Sequence, residues 1–237
     1  MYLSVYLARG GVCARRKAVE LVKDGQVLVN GAVETNPAYL VQPHDKVMYM
    51  ERRVKLEDPV YVLLNKPRGV VSTCSDEQKR KAVTDLISIK VQNKNVRLYP
   101  VGRLDKETTG ALVLTNDGEL AQRMAHPKYA VKKTYIAMLD KPFIHDDYER
   151  LKKGFFLYDG RFIPDRVYYP RKQNKFVVGV VVHSGKYRII RRAFFQLGYE
   201  VVKLDRVGYG QLSVHGLARG AWRLLEPSEI KEFVGEK

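Results

Sequence analysis

Short apolar runs separated by turn residues dominate the chain beyond residue 57 and constrain its fold more than any other feature. The runs are YVLLN, VVST, ALVLTN, KKTYIAML and FVVGVVVH. They are rich in β-branched and aromatic residues, which is typical of strands. Helical patterns such as ELAQRMAH fall between them, in an order that is neither a steady strand–helix alternation nor purely β. We therefore expect an α+β fold with a mostly antiparallel sheet.

The first 57 residues form a separate pattern that predicts a small α/β unit. Apolar residues at helical spacing predict a helix from Cys13 to Asp24, which Gly25 would end. The strand QVLVNG then leads into Asn30-Gly31, a hairpin signal, and KVMYME is expected to be a closing strand. The charged segment ERRVKLEDP, ended by Pro59, is predicted to be a linker.

The charge of the chain points to a polyanionic partner. Lys and Arg number 42 and Asp and Glu 26, which gives a net charge of +16. Such an excess favours nucleic acid, although a generally basic enzyme would share it.

Several function classes lose support from what the sequence lacks. Cys13 and Cys74 form no Cys-x-x-Cys pair, and the histidines are far apart without ligand spacing, so we expect no metal site. No G-x-x-x-x-G-K-[ST] loop occurs, which argues against an NTPase. No apolar stretch approaches the roughly 20 residues that span a bilayer. We expect a cytoplasmic protein without a cofactor and without a membrane partner.

The segment VGRLDKETTGALVLTNDG, residues 101 to 118, holds the first candidate for chemistry. Asp105 precedes Thr108 and Thr109, so it could simply be a turn residue satisfied by their amides and hydroxyls. Asp105 and Glu107 could form a pair of catalytic carboxylates like that of a glycosidase. Their closeness in sequence does not establish the distance between carboxyl groups that such a pair requires.

A second candidate is HSGKYRIIRRAFFQLG, residues 183 to 198, whose apolar residues recur at helical spacing. Arg188, Arg191 and Arg192 are expected to project from the opposite side of that helix. They form either a solvated basic face or a cluster that binds phosphates or a carboxylate. Tyr135, within the predicted strand KKTYIAML, is either a core residue or a stacking platform for an extruded base.

Two sets of motifs resemble known families. GGVCARRKAVELVKDGQVLVNG resembles the S4-like RNA-binding domain, with Ala14 where a capping Ser is usual. Five later segments resemble, in order, the pseudouridine synthases that modify ribosomal RNA and carry an S4-like domain ahead of the catalytic domain. These segments are LLNKPRGVVST, VGRLDKETTGALVLTNDG, KKTY, SGKYRIIRRAFF and KLDRVGYGQLSVHGLARGAWRLL.

The resemblance implies an S4-like domain over residues 1–57 and a catalytic domain over residues 58–237. It implies that Asp105 is the catalytic aspartate, Tyr135 the base-contacting tyrosine and Arg191 the cationic partner of the aspartate. The flipped-out uridine would be detached at N1 and rejoined through C5, which needs neither ATP nor a redox cofactor. The residues expected to contact RNA are Arg15, Arg16, Lys17, Lys23, Lys66, Arg103, Lys133, Lys186, Arg188 and Arg192.

The implied function is isomerisation of a uridine in ribosomal RNA, with the large subunit favoured on overall likeness. The implied partner is ribosomal RNA, free or within an assembling particle, bound by a monomer. Three alternatives stay open: an RNA-binding or ribosome-assembly protein without activity, the same isomerase acting on tRNA, and an RNA-directed nuclease or glycosylase.

Overall fold

The computed structural model describes residues 1–74, 76, 78–91 and 94–234, which fall into two compact units. The first unit comprises Met1–Val60, Lys90–Arg97 and Asn116–Gly118. The second comprises Tyr61–Ile89, Leu98–Thr115 and Glu119–Lys237. The expected boundary between residues 57 and 58 stays a prediction.

The first unit packs two helices and a four-stranded antiparallel sheet around one apolar core. Its elements are α1 (Leu3–Arg9), α2 (Arg15–Lys23), β1 (Val27–Val29), β2 (Ala32–Val33), β3 (Val47–Tyr49) and β4 (Arg52–Arg53), with sheet order β2-β1-β3-β4. The predicted helix is confirmed, and Ala14 is its N-cap without a side-chain hydrogen bond. The predicted hairpin is also confirmed, since Asn30 and Gly31 both have the positive φ that its turn requires.

The linker predicted over residues 51–59 is wrong in its first part. Met50 and Glu51 adopt positive φ values, which turn the chain back so that β4 pairs with β3. Val54, directly after β4, is buried against the core of the first unit. The charged composition concealed this strand because both arginines of β4 are exposed at the sheet edge.

The remaining elements follow in chain order. They are β5 (Tyr61–Lys66), a 3₁₀ turn (Val83–Leu86), β6 (Lys90–Val91), β7 (Lys94–Asn95), β8 (Tyr99–Pro100), β9 (Thr109–Thr115), α3 (Gly118–Ala125), a 3₁₀ turn (Pro127–Tyr129), β10 (Lys133–Leu139), α4 (His145–Lys153), β11 (Phe155–Leu157), β12 (Gly160–Phe162), β13 (Arg166–Tyr168), β14 (Val177–Val182), α5 (Ile189–Gln196), β15 (Val201–Tyr209), β16 (Leu212–Ser213), β17 (Trp222–Leu224) and α6 (Pro227–Val234).

One large sheet organises the second unit, in the order β13-β14-β10-β15-β9-β5-β17. Its pairs are antiparallel except for β9 and β15, which run parallel. The expected α+β fold with a mostly antiparallel sheet is therefore confirmed. The run VVST is not a strand, however, because it contributes a single bridge between Val71 and Ala82. In the described part of the chain, no helix is long and apolar enough to cross a membrane.

Two glycines in the large sheet permit close approaches that a side chain would block. Gly110 lies where β9 meets β15 at a φ of 106°, and a Cβ there would collide with the backbone carbonyl of Arg206. Gly179, inside the run FVVGVVVH, lies opposite Tyr168, whose ring covers it. The glycine therefore leaves room for an aromatic ring on the neighbouring strand.

Candidate active site

The loop between β8 and β9 presents Asp105 to solvent beside a cavity in the second unit. The Asp105 side chain is 39% exposed. The cavity has a volume of about 160 Å³. Cavities of about 150 Å³ hold a benzene-sized ring, so a single pyrimidine is of the right scale. The residues that line it are Gly102, Arg103, Leu104, Asp105, Thr108, Ala125, Lys133, Tyr135, Ser184, Gly185, Lys186, Arg188, Ile189, Ile190, Leu204, Arg206 and Tyr209.

Lys66, at the end of β5, holds the Asp105 loop from within the protein. Its ammonium group is within hydrogen-bonding distance of the carbonyls of Asp105 (3.1 Å), Lys106 (3.2 Å) and Thr108 (2.9 Å). The Ser72 hydroxyl both donates to the Leu104 carbonyl and accepts from the Leu104 amide. The backbone on both sides of the aspartate is thereby fixed.

The loop that follows Lys66 reinforces this arrangement. The Gly69 amide donates to the Lys106 carbonyl at 2.9 Å, and Arg68 forms an ion pair with Glu107. The hydrogen bond with Arg68 holds the pKa of Glu107 below its usual range. Glu107 is thus engaged by the neighbouring loop and does not line the cavity with Asp105.

Arg188 supplies the cation closest to Asp105 among the described residues. Its Nε lies 3.7 Å from the Asp105 carboxylate. The sequence predicts that Arg188 lies on the helix. In the structure it precedes α5 and has a left-handed backbone (φ 46°, ψ 33°). A non-glycine residue in this conformation is strained, and strain of this kind clusters at functional sites.

Arg191 does not make the contact with Asp105 that the sequence predicts. Its guanidinium donates instead to the Val201 carbonyl at 2.6 Å. Burial lowers the pKa of Arg191, as does the charge of Arg188, while Asp105 and Glu107 oppose the shift. The field of the aspartate therefore reaches Arg191, although the ion pair is made by Arg188.

Arg192 and Lys186 both contact Asp159 in the turn of the β11–β12 hairpin. Arg192 forms a 2.9 Å ion pair with Asp159, and its guanidinium lies over the ring of Tyr158. Lys186 donates to the Asp159 carbonyl at 2.6 Å. The predicted arginine face is therefore wrong as a single surface, because Arg188, Arg191 and Arg192 contact Asp105, Val201 and Asp159, respectively.

Tyr135 and Arg206 face the cavity from adjacent strands. Tyr135 is half-buried on β10 and is paired in register with Arg206 on β15. Directly opposed residues of antiparallel strands share a face of the sheet, so the two side chains are neighbours. Tyr209 lies beneath them, fully buried, with its hydroxyl bound to the Met124 carbonyl.

Two lysines predicted to bind RNA are buried instead. Lys66 is 0% exposed, and Lys133 is 7% exposed, with its ammonium donating to the carbonyls of Val131 and His183. Burial lowers the pKa of each to about 8. The Lys66 ammonium is enclosed by backbone carbonyls, which supports a structural role, and its contact with RNA stays a prediction. Lys133 reaches the cavity wall but not the open surface.

The other predicted RNA contacts are accessible. Arg103 is exposed at the cavity rim. In the first unit, Arg15, Arg16, Lys17 and Lys23 are all exposed on α2, and Lys17 pairs with Glu20. Their contact with RNA stays a prediction.

Sequence reasoning missed Lys66 as a tether and overlooked Ser72, Arg206 and Tyr209. Each of these residues lies within a segment that resembles the family, and this position was the only signal that could have identified them. Their residue types suggested no role. Within the described residues, no group of three or more His, Cys, Asp or Glu side chains could hold a metal ion. The site therefore consists of a carboxylate beside a cation, at a cavity that is lined by an aromatic face and by buried hydrogen-bond donors.

Comparison with known proteins agrees with this geometry. The model of a family described as RNA pseudouridylate synthase matches residues 60–196, and that of the S4 domain matches residues 3–47. The ribosomal large subunit pseudouridine synthase B of Bacillus subtilis (strain 168) is 40% identical over 98% of this chain and 94% of its own length. The ribosomal small subunit pseudouridine synthase A of Vibrio cholerae serotype O1 is 31% identical over 97% of this chain and 98% of its own length.

A crystal structure of a pseudouridylate synthase superposes with a TM-score of 0.69 at 25% identity, covering 98% of this chain and 99% of the other. The sequence and fold similarities thus extend over nearly the whole chain, including the segment that carries Asp105. This chain therefore belongs to the RNA pseudouridylate synthase family and carries an S4 domain in its amino-terminal unit.

Proposed function

We propose that this enzyme isomerises a specific uridine of ribosomal RNA to pseudouridine, with Asp105 as the catalytic carboxylate. One observation carries the assignment of Asp105. Its backbone is fixed by Lys66 and Ser72, while its carboxylate is left accessible beside Arg188 and a cavity of pyrimidine size. A structural aspartate would instead direct its carboxylate into these hydrogen bonds.

The reaction requires a base that has left the RNA stack. The bond between C1′ and N1 breaks, the base turns, a bond between C1′ and C5 forms, and the proton on C5 leaves while N1 gains one. Asp105 acts first on the sugar, as nucleophile or base, and then assists removal of the C5 proton. Tyr135 provides the aromatic face on which the flipped base stacks. Arg188, whose Nε lies 3.7 Å from the carboxylate, supplies the positive charge beside the reacting group, and Arg191 lies behind it, bound to the Val201 carbonyl.

Ribosomal RNA is the proposed substrate because relatives named for both ribosomal subunits are similar over almost their full length. The 40% identity to the large subunit enzyme, against 31% to the small subunit enzyme, supports the large subunit. The exposed basic residues of α2 would bind the RNA backbone, together with Arg103 at the cavity rim. We place the S4-like domain at residues 1–57 and the catalytic domain at residues 58–237, acting as a cytoplasmic monomer on free RNA or an assembling particle.

The decisive test is turnover by the purified protein. Ribosomal RNA labelled with tritium at C5 of uridine should release tritium with the parent enzyme. Asp105→Asn should release none, while its RNA affinity changes only several-fold because phosphate contacts dominate binding. Asp117→Asn is the matched control, since it changes a carboxylate in the turn that follows β9, and it should stay active.

Mapping of pseudouridine in the treated RNA would identify the site and the subunit. Tritium release from tRNA but not from ribosomal RNA would favour the tRNA alternative. A parent enzyme that binds ribosomal RNA without releasing tritium would favour the catalytically silent RNA-binding protein. Strand cleavage or free uracil would indicate a nuclease or a glycosylase.

A further inference from the structure

Arg206 is a buried arginine at the cavity whose hydrogen-bonding capacity is only partly used. It is 2% exposed, and its Nε donates to the Ala111 carbonyl at 2.7 Å. Its Nη2 is buried without a hydrogen-bond partner among the described residues. A buried donor left without a partner destabilises a protein, so such a group calls for an explanation. The Thr108 hydroxyl, which lines the same cavity, is likewise buried and unpartnered.

The position of Arg206 suggests what would complete its hydrogen bonds. It is the cross-strand neighbour of Tyr135, and both line the cavity beside Asp105. The polar atoms of a pyrimidine lie on its edge, in the plane of the ring. A base stacked on the face of Tyr135 would therefore present its edge, not its face, to residues beside the tyrosine. The guanidinium of Arg206 is held there by its bond to Ala111 and its position over the ring of Tyr209 at 4.6 Å.

Arginine is a donor without acceptor capacity and keeps its charge at all relevant pH values. Uracil offers it carbonyl acceptors at C2 and at C4. Cytosine has a carbonyl at C2 but an amino group, which is itself a donor, at C4. A fixed arginine at the base edge therefore suits uracil better than cytosine.

The rearrangement adds a stronger constraint. Turning uracil by half a revolution about the axis through N3 and C6 exchanges N1 with C5, as the reaction requires. The same turn exchanges the C2 carbonyl with the C4 carbonyl. A donor that binds one carbonyl before the turn finds the other carbonyl in the same place afterwards. For cytosine, the amino group would face the donor in one of the two orientations.

We propose that Arg206 donates a hydrogen bond to a uracil carbonyl in both orientations of the base and is a specificity-determining residue of this enzyme. This inference rests on the proposed function. It assigns to Arg206 the task of holding the detached base in the plane of the Tyr135 stack while N1 and C5 change places. It also explains why a second cation is buried in the wall of a cavity that Lys133 already lines.

The test uses RNA in which the mapped target uridine is replaced by 2-thiouridine or by 4-thiouridine, because sulfur is a poor hydrogen-bond acceptor. Single-turnover rates are measured for the parent, for Arg206→Met and for Arg219→Met. Arg219 is a suitable control because it is bound to Asp205, next to Arg206 on β15, and does not line the cavity.

We expect either thio substitution to slow the parent by more than about tenfold, since a hydrogen bond to a charged donor is lost. Arg206→Met should be slow with uridine but should show little further loss with either analogue. Arg219→Met should retain the full penalty. Equal thio penalties in the parent and Arg206→Met would overturn the proposal, because size alone would then explain them.

The parent enzyme provides a test that does not depend on the folding of any variant. If either thio analogue reacts at the rate of uridine, a single donor cannot hold both carbonyls in turn, and the proposal fails. Turnover of uridine in the same assay establishes the proposed function separately. A failure of the Arg206 assignment is thereby distinguished from a failure of the reaction.

Discussion

At the scale of single residues, the cations around Asp105 are distinguished by what their side chains touch. Arg188 is within 4 Å of the carboxylate, whereas Arg191 is bound to the carbonyl of Val201. The motif alone favours Arg191 as the partner of the aspartate. It cannot show that Arg188 adopts a left-handed conformation, which turns its side chain toward the cavity.

The first prediction separates these two arginines. Arg188→Ala should lower the single-turnover rate at saturating enzyme by at least about tenfold, because the carboxylate loses its nearest cation. Arg188→Lys should recover part of the loss, since it restores charge but not the planar guanidinium. Arg191→Ala should be less severe, because Arg191 acts on Asp105 only through its field. A larger loss in Arg191→Ala than in Arg188→Ala would restore the pairing that the sequence favours.

The second prediction concerns Lys66. If it bound a phosphate, Lys66→Met would reduce the slope of log affinity against log salt by about 0.7–0.9. Because its ammonium is bound to the loop carbonyls, we expect an unchanged slope. The rate should nevertheless fall by at least about tenfold, as small displacements of a catalytic group are costly. The measurements are salt-dependent RNA binding and single-turnover kinetics.

Arg16→Met, which removes an exposed cation of α2, serves as the reference for that experiment and should reduce the salt slope. A Lys66→Met enzyme with a reduced salt slope and a normal rate would mean that the lysine contacts RNA. The distinction is physical, because a lysine enclosed by carbonyls cannot contact a phosphate directly and therefore releases no counterion from the RNA.

At the scale of elements, the periodicity of apolar residues predicted the positions of one helix and three strands of the second unit. The apolar residues of α5 and the strands β9, β10 and β14 lie where their patterns indicated. Two kinds of feature escaped. VVST lacks a strand partner, and the start of ERRVKLEDP forms a strand only because Met50 and Glu51 turn the chain. The pairing partner of a strand and a positive φ at a non-glycine residue both depend on the tertiary structure, so residue type alone does not predict them.

The candidate site divides in the same way. Asp105 and Tyr135 were found because motifs mark them, and both line the cavity. Lys66, Lys133 and Arg192 were taken for RNA ligands because a basic residue near a basic motif suggests phosphate. Their acceptors are carbonyls and a carboxylate contributed by distant parts of the chain, such as Thr108, His183 and Asp159.

The third prediction tests the parallel contact between β9 and β15 in the large sheet. Gly110→Ala places a Cβ against the carbonyl of Arg206, in a backbone conformation that side chains rarely adopt. The free energy of unfolding should fall by more than about 2 kcal/mol. Because this contact positions both β9 and Arg206, activity should fall further than stability alone explains. Urea unfolding and single-turnover kinetics provide the two measurements.

Gly216→Ala is the matched control, since Gly216 has a φ of 76° but nothing near the added Cβ. It should lose only the conformational part, about 1–2 kcal/mol. Equal destabilisation by the two substitutions would show that the β9–β15 contact can relax, and that Gly110 is needed for its conformation alone.

At the scale of the whole molecule, the positive charge has two separate uses. Exposed cations, such as those of α2, face solvent, where a polyanion can reach them. Lys66, Lys133 and Arg206 are buried, and their printed hydrogen bonds go to backbone carbonyls. Burying these charges costs stability, and this cost should depend on pH.

The last prediction follows from the pKa values of Lys66 and Lys133, which burial lowers to about 8. In the unfolded chain a lysine titrates near 10.4, so between about pH 8 and pH 10 the unfolded state binds more protons than the folded state. The free energy of unfolding should therefore rise with pH across this window. Allowing for solvent screening, each lysine should contribute about 1–2 kcal/mol.

The measurement is urea unfolding at about pH 8 and about pH 10, for the parent, Lys66→Met and Lys133→Met. Rising pH also reduces the net charge through the other titratable groups, which the three proteins share, so only the difference in slope is diagnostic. Tyr209, whose pKa burial raises to about 12, begins to oppose the trend only above pH 10. In each variant, the increase in the free energy of unfolding between the two pH values should be smaller by the contribution of the lysine that was removed. Identical pH slopes in all three would mean that these lysines titrate in the folded protein as they do in the unfolded chain.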